Sequence, residues 1–228
     1  MIKWIFKWVL RLFILAVVLV VVFFLSLDTI LRLVMENRIR AQTGMDAQIG
    51  KFTLGLAQPT ITIKDFKLYN PPSFGGTLFL SIPEIHVEYD RVALAKQELH
   101  VTLMRFNLGE LDIVKNDAGQ TNIFSIAAAP SVKKTGGKKS FSKETGYEFT
   151  GIDVLNVSIG TAKFIDLKDQ KNNREQKIGL ENIIIKDVKQ GTDLAGLAVL
   201  IAFRGGDFFG SLLDPKHSSG GLLPGLGK

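Results

Sequence analysis

Apolar and polar positions fall into three successive rhythms along this chain: an unbroken apolar run, a helical repeat, and an alternation of period two. From Leu12 to Leu27 no residue is charged and only Ser26 is polar. Counted back to Trp8, with Arg11 snorkelling toward headgroups, the run reaches about twenty residues, enough to cross a ~30 Å hydrocarbon core. Between Asp28 and Gln42 the pattern becomes helical. Ile30, Leu31, Val34 and Met35 recur among Arg32, Glu36, Arg38 and Arg40, and Gly44 offers a stop. This predicts a short helix after the span. It either lies on the outer membrane face or packs over the end of the following sheet, and the second reading is favoured.

After Gly44 the period is two. Thr60-Ile61-Thr62-Ile63-Lys64 alternates strictly, and Asp65-Phe66-Lys67-Leu68 resumes one residue out of phase, which predicts a bulge or short turn at Asp65. Asn70 to Gly76 is a breaker. Strands are expected over Ile82–Tyr89, Leu99–Leu103 and Leu108–Val114, with Lys115-Asn116-Asp117-Ala118-Gly119 as a turn joining antiparallel strands. Residues 131–147 are basic and poor in apolar bulk, which predicts a flexible, solvated linker, with a headgroup-binding patch as the alternative. A second strand set follows at Phe149–Ile159, Ala162–Leu167, Lys177–Val188 and Ala195–Phe203. The segment Ile63-Lys64-Asp65-Phe66-Lys67 is echoed by Ile185-Lys186-Asp187-Val188-Lys189, which hints at a repeated unit. The predicted layout is an anchor at 1–27, a helix at 28–43, β units at 44–130 and 148–204 around the linker, and a Gly/Pro-rich tail at 205–228.

Each strand has one apolar and one polar face, and no long amphipathic helix follows to cover the apolar one. The expected fold class is therefore a transmembrane helix plus a mainly-β body, its antiparallel sheet curled into a gutter. A face-to-face β-sandwich is the alternative.

Charge changes the picture only at the N-terminus. The net charge is +6 from 28 basic and 22 acidic residues, and Lys3, Lys7 and Arg11 precede the first acidic residue, leaving 25 basic against 22 acidic. The balance beyond residue 11 gives no ground for nucleic-acid binding. Those three cations put the N-terminus on the cytoplasmic side, with Trp4 and Trp8 placed as an interfacial aromatic belt. A cleaved signal peptide has the same layout, but Leu25-Ser26-Leu27-Asp28 lacks the small-x-small pattern of a cleavage site. With no cysteine in 228 residues, disulfides and thiolate metal sites are excluded. His86, His100 and His217 are scattered. Asp65, Glu84, Glu88 and Asp90 are acids without a base, nucleophile or metal cluster in the sequence, so neither an enzyme nor a cofactor is expected.

The ordered features resemble the N-terminal part of AsmA-like proteins, bacterial relatives of the repeating β-groove lipid-transfer family. They are the basic-flanked anchor, Arg38-Ile39-Arg40, Thr43 to Gly50, the strand through Ile61, Ile63, Phe66 and Leu68 into Asn70-Pro71, Ile82 to Val87, Leu99 to Leu108, and Gly119-Gln120-Thr121-Asn122. The resemblance runs from Met1 to about Ile126 and continues more weakly to Phe203. It implies an apolar groove that handles membrane phospholipid or assists outer-membrane and envelope assembly, from a bacterial inner membrane with the body in the periplasm. Groove candidates are Ile61, Ile63, Val87, Val101, Leu103 and Ile113, each of which is otherwise ordinary core. About eight strands at ~4.8 Å spacing build a groove of ~40 Å, too short to bridge a periplasm alone. A short member would shield one acyl chain, dock on another envelope protein, or self-assemble through sheet edges. The Asn70-Pro71 strand exit also resembles the water-stress domain of late-embryogenesis-abundant proteins, a sandwich that would serve as a structural or interaction module without lipid.

Overall fold

The helical repeat after residue 27 forms the helix it predicts. The computed structural model describes residue 15 and residues 26–55, 57–123 and 145–205, and residues 26–43 are one helix, α1. Among the described residues no helix is long and apolar enough to cross a membrane. The expected anchor, with Lys3, Trp4, Lys7, Trp8 and Arg11, lies almost wholly outside them, as does the tail beyond Gly205.

The body is a single open sheet of six strands in the order β1-β2-β3-β4-β5-β6. The strands are β1 (Asp46–Gly55), β2 (Thr60–Tyr69), β3 (Leu78–Tyr89), β4 (Glu98–Lys115), β5 (Glu148–Asp166) and β6 (Arg174–Val188), with helices α2 (Arg91–Ala95) and α3 (Ala195–Gly205). Two pairs of expected strands are thus one long strand each: Leu99–Leu103 with Leu108–Val114 in β4, and Phe149–Ile159 with Ala162–Leu167 in β5.

The expected all-antiparallel sheet is corrected by one pairing. β4 and β5 run parallel, in register from Glu98 beside Glu148 to Lys115 beside Asp166, while the other four pairings are antiparallel. The turn at Lys115–Gly119 does form: the Gly119 N–H donates to the Asn116 carbonyl over 2.9 Å, and Gly119 has φ +80°. Among the described residues it leads to a single bridge, Lys115 to Thr121. A parallel neighbour needs a long crossover, and residues 116–147, basic linker included, make that crossover from the end of β4 back to its start. The two expected β units are thereby joined in one sheet.

Ala195–Phe203, expected as a strand, is helical. It continues directly from a one-turn 3-10 helix, Gly191–Leu194, whose start is closed by Asp193 accepting from the N–H groups of Lys189 and Gln190. Ala, Leu and Ile in an apolar stretch suit either state, and the preceding turn decides it.

A line of irregular backbone crosses the sheet at one level. Pairing skips Gly50 and Asp65 between β1 and β2, Asp65 and Pro83 between β2 and β3, and Gly109 and Gly160 between β4 and β5. Asp65 sits in the left-handed region at φ +53°, so the sequence-level phase slip is a real kink. A Cβ on Gly50 would lie 2.8 Å from the Asp65 Cβ, one on Gly109 would lie 3.1 Å from the Pro83 ring, and one on Gly160 would collide with the Gly109 carbonyl. Each strand changes side-chain parity at this crease. Ala47 and Ile49 give way to Phe52 and Leu54, and Ile61 and Ile63 to Phe66 and Leu68, so one face stays apolar from end to end. The parity change also hides β1 as a distinct alternating strand. The echo between β2 and β6 is structural too, because Asp187 repeats the left-handed backbone of Asp65 at φ +55°.

Candidate functional site: one apolar face between two helices

Register fixes which side chains share a face, because directly paired residues stand side by side. Ile61 pairs with Val87, Val87 with Met104, and Met104 with Leu155. Ile63 pairs with Ile85, Ile85 with Phe106, and Phe106 with Val157. On β1 and β2, Ile49, Phe52 and Ile63 form a core cluster beneath Leu31 and Met35 of α1. At the other end, Ile113, Ala162, Ile178 and Leu180 form one cluster, and Leu155, Val157 and Val188 another; Leu197 of α3 packs on both and Ile201 on the first. Between the helices the apolar face thins. Ile85, Val87, Met104, Phe106, Leu108 and Leu111 on β3 and β4 are only half-buried.

The expected groove residues divide accordingly. Ile61 and Val87 are half-buried neighbours on the apolar face. Val101, beside Tyr89 and Ile152, is buried. Ile63 is core beneath α1 and Ile113 core near α3. Leu103 belongs to the opposite face: it pairs with Glu88 and Val154, one step out of phase with Met104. The slip between Glu88 and Tyr89 separates it from Val101, which simple alternation places on the same side. Met104 and Phe106 escape sequence reasoning because β4 changes parity on both sides of them, at the slip beside Val101 and at Gly109.

The opposite face is polar and laced across strands. Thr62 Oγ1 lies 2.7 Å from His86 Nδ1, whose Nε2 is 3.2 Å from Glu88 Oε1. Likewise, His100 Nδ1 is 3.2 Å from Thr150 Oγ1, and its Nε2 is 3.2 Å from Asp153 Oδ2. These hydroxyl–imidazole–carboxylate rows follow from neighbouring positions on adjacent strands. Lys163 Nζ bonds Glu110 Oε2 at 2.9 Å beside buried Asp112. Burial first, then the Glu110 carboxylate, push Asp112 up to about 7, with Lys163 pulling the other way. Among the described residues no group of His, Cys, Asp or Glu is arranged to hold a metal.

Two motifs 52 residues apart in sequence meet where the chain leaves β2. Asn122 donates through Nδ2 to Asn70 Oδ1 and to the Asp112 carbonyl, both at 2.9 Å, and its Oδ1 accepts from the Val114 N–H at 3.0 Å. Asn70 in turn donates to the Leu78 carbonyl over 3.1 Å. Asn70-Pro71 and Gly119-Gln120-Thr121-Asn122 therefore act as one lock that ties the β2–β3 connection to the end of β4.

α1 treats the sheet edge differently from the sheet face. At i, i+4 and i+8 its polar stripe meets the outer backbone of β1. Asp28 Oδ1 accepts from the Leu54 N–H at 3.2 Å, Arg32 donates to the Ile49 carbonyl at 3.4 Å, and Glu36 Oε1 accepts from the Ile49 N–H at 2.7 Å. The favoured expectation for this helix, packing over the sheet, is what the structure shows. Comparison with protein-family models, with curated proteins and with solved structures yields no match.

Proposed function

We propose that this chain is a short AsmA-like envelope protein, held by an N-in single-pass anchor in a bacterial inner membrane, with its β body in the periplasm. There it shields a phospholipid acyl chain and thereby serves lipid handling or envelope assembly. The observation that carries the reading is the half-buried apolar strip on β3 and β4 between α1 and α3. In this reading the crease curls the sheet into a gutter with that strip as its floor. Burial gains about 0.8 kcal/mol per methylene, so even ~8 methylenes on the strip give roughly 6 kcal/mol without any headgroup contact. Six strands at ~4.8 Å spacing make a floor of only ~24 Å, a length for one acyl chain and far from a bridge between membranes. No role in binding nucleic acid is proposed.

A second reading, an interaction module whose strip and α3 are covered by another envelope protein, is supported by Val199 and Phe203, exposed by 67% and 83% on the outer side of α3. Self-assembly through sheet edges is disfavoured at β1, whose edge α1 already occupies.

The test is lipid extraction and mass spectrometry of the full chain purified in mild detergent. The expected result is co-purified phospholipid, reduced severalfold by Phe106→Glu on the strip and unchanged by Leu103→Glu on the polar face. Equal lipid in both variants overturns the reading. One stoichiometric crosslinked protein partner and no lipid favours the interaction module.

A further inference from the structure

The apolar side of α1 continues past Leu27, where the uncharged run of the sequence ends. Residues 12–27 are uncharged, but these 16 residues at 1.5 Å each cover only ~24 Å, short of a ~30 Å hydrocarbon core. Asp28, Arg32 and Glu36 would normally close the span. In the folded chain all three turn toward β1 and bond its backbone at Leu54 and Ile49. The outward side of the helix is left with Thr29, Ile30, Leu33 and Val34, of which Ile30, Leu33 and Val34 are 47%, 48% and 55% exposed. Polar character returns on that side only at Asn37 and Arg38.

We infer that the outward side of α1 through Val34 is embedded in the outer leaflet of the same phospholipid bilayer that holds residues 12–27. Asn37 and Arg38 then stand at headgroup level, and strand β1 rides in the lipid interface instead of on a tether above it. Residues 12–34 are 23 residues, and as a membrane helix at 1.5 Å each they would cover ~34 Å, which completes the proposed span with a modest tilt and without help from Arg11. The connection after β1, level with Asp28, agrees: Leu54 to Pro59 contains no charged residue. Three charges that look like a membrane boundary thus serve as an edge cover for the sheet and spare the lipid-facing side any ion. The inference rests on the anchor proposed above and adds where the body sits relative to the bilayer.

The chain has no cysteine, so single reporters are unambiguous. Leu33→Cys, Val34→Cys, Arg38→Cys and Lys67→Cys, each in the full chain, are labelled with an environment-sensitive fluorophore in phosphatidylcholine/phosphatidylglycerol vesicles, with and without acyl-chain nitroxide lipid. Leu33 and Val34 should give blue-shifted emission quenched severalfold by the nitroxide, Arg38 an intermediate response, and Lys67 on exposed β2 none. Leu33 and Val34 behaving like Lys67, in protein that an alkaline carbonate wash leaves in the vesicles, overturns the inference while the anchor stands. Protein released by the wash overturns the anchor and this inference together.

Discussion

Asn122 makes three hydrogen bonds with an exposure of 1%, so its removal leaves the Val114 N–H, the Asp112 carbonyl and Asn70 Oδ1 short of a partner in a buried site. Asn122→Ala should destabilise the body by about 2–4 kcal/mol, read as a lower urea midpoint at unchanged slope. A loss within ~0.5 kcal/mol would mean that water replaces the side chain. Asp112 makes a different kind of prediction. Its folded pKa is raised from 3.8 to about 7 by burial and by Glu110, with Glu175 adding to the repulsion and Lys163 opposing it. The folded state therefore holds a proton that the unfolded chain releases. The stability this confers is complete below about pH 4 and is lost as pH rises through about 7. Asp112→Asn should flatten that slope and leave the variant ~1–3 kcal/mol more stable than the parent at pH 8. Denaturant titrations of both proteins from pH 4 to 8 decide it, and parallel curves would show that Asp112 titrates normally.

Among the elements, the crease and the α1 stripe carry the consequences that secondary structure alone would not suggest. Gly160→Ala places a methyl against the Gly109 carbonyl, whereas Gly191→Ala meets open space. The first should cost about 2 kcal/mol or more and the second under ~0.5 kcal/mol, by thermal or denaturant unfolding. Equal effects would mean that the crease is plastic. Much of this architecture is legible in the sequence: the helix after residue 27, the phase slip at Asp65 and the turn at Lys115–Gly119 all come from local pattern. What is not legible is set at a distance. The parallel pairing of β4 with β5 depends on where the crossover returns, which no local signal records. The sides of Leu103 and Met104 depend on slips at Glu88 and Gly109 that become visible only in pairing. The helicity of Ala195–Gly205 follows from the capped 3-10 turn at Gly191–Leu194 that leads into it, while its own apolar run reads equally as a strand. The edge-covering role of Asp28, Arg32 and Glu36 shows in their i+4 spacing, but the same spacing also describes an ordinary solvated helix face.

At the scale of the whole molecule, the parallel pair decides whether the body is one unit or two. β4 and β5 are the longest strands, and they pair along nearly their full length, from Glu98–Glu148 to Lys115–Asp166. That interface joins the part under α1 to the part under α3 within the sheet itself. A protease site placed in the basic stretch 133–139 of the full chain should therefore yield, after complete cleavage, two fragments that co-elute in mild detergent and separate only in denaturant. On the proposed function, phospholipid that co-purifies with the intact chain should stay with the nicked protein, because the half-buried strip on β3 and β4 and the clusters beneath both helices lie outside the cut. Fragments that part under native conditions would instead describe two weakly docked units. The apolar strip would then be a face exposed by their separation, and the shielding of a single acyl chain would lose its floor.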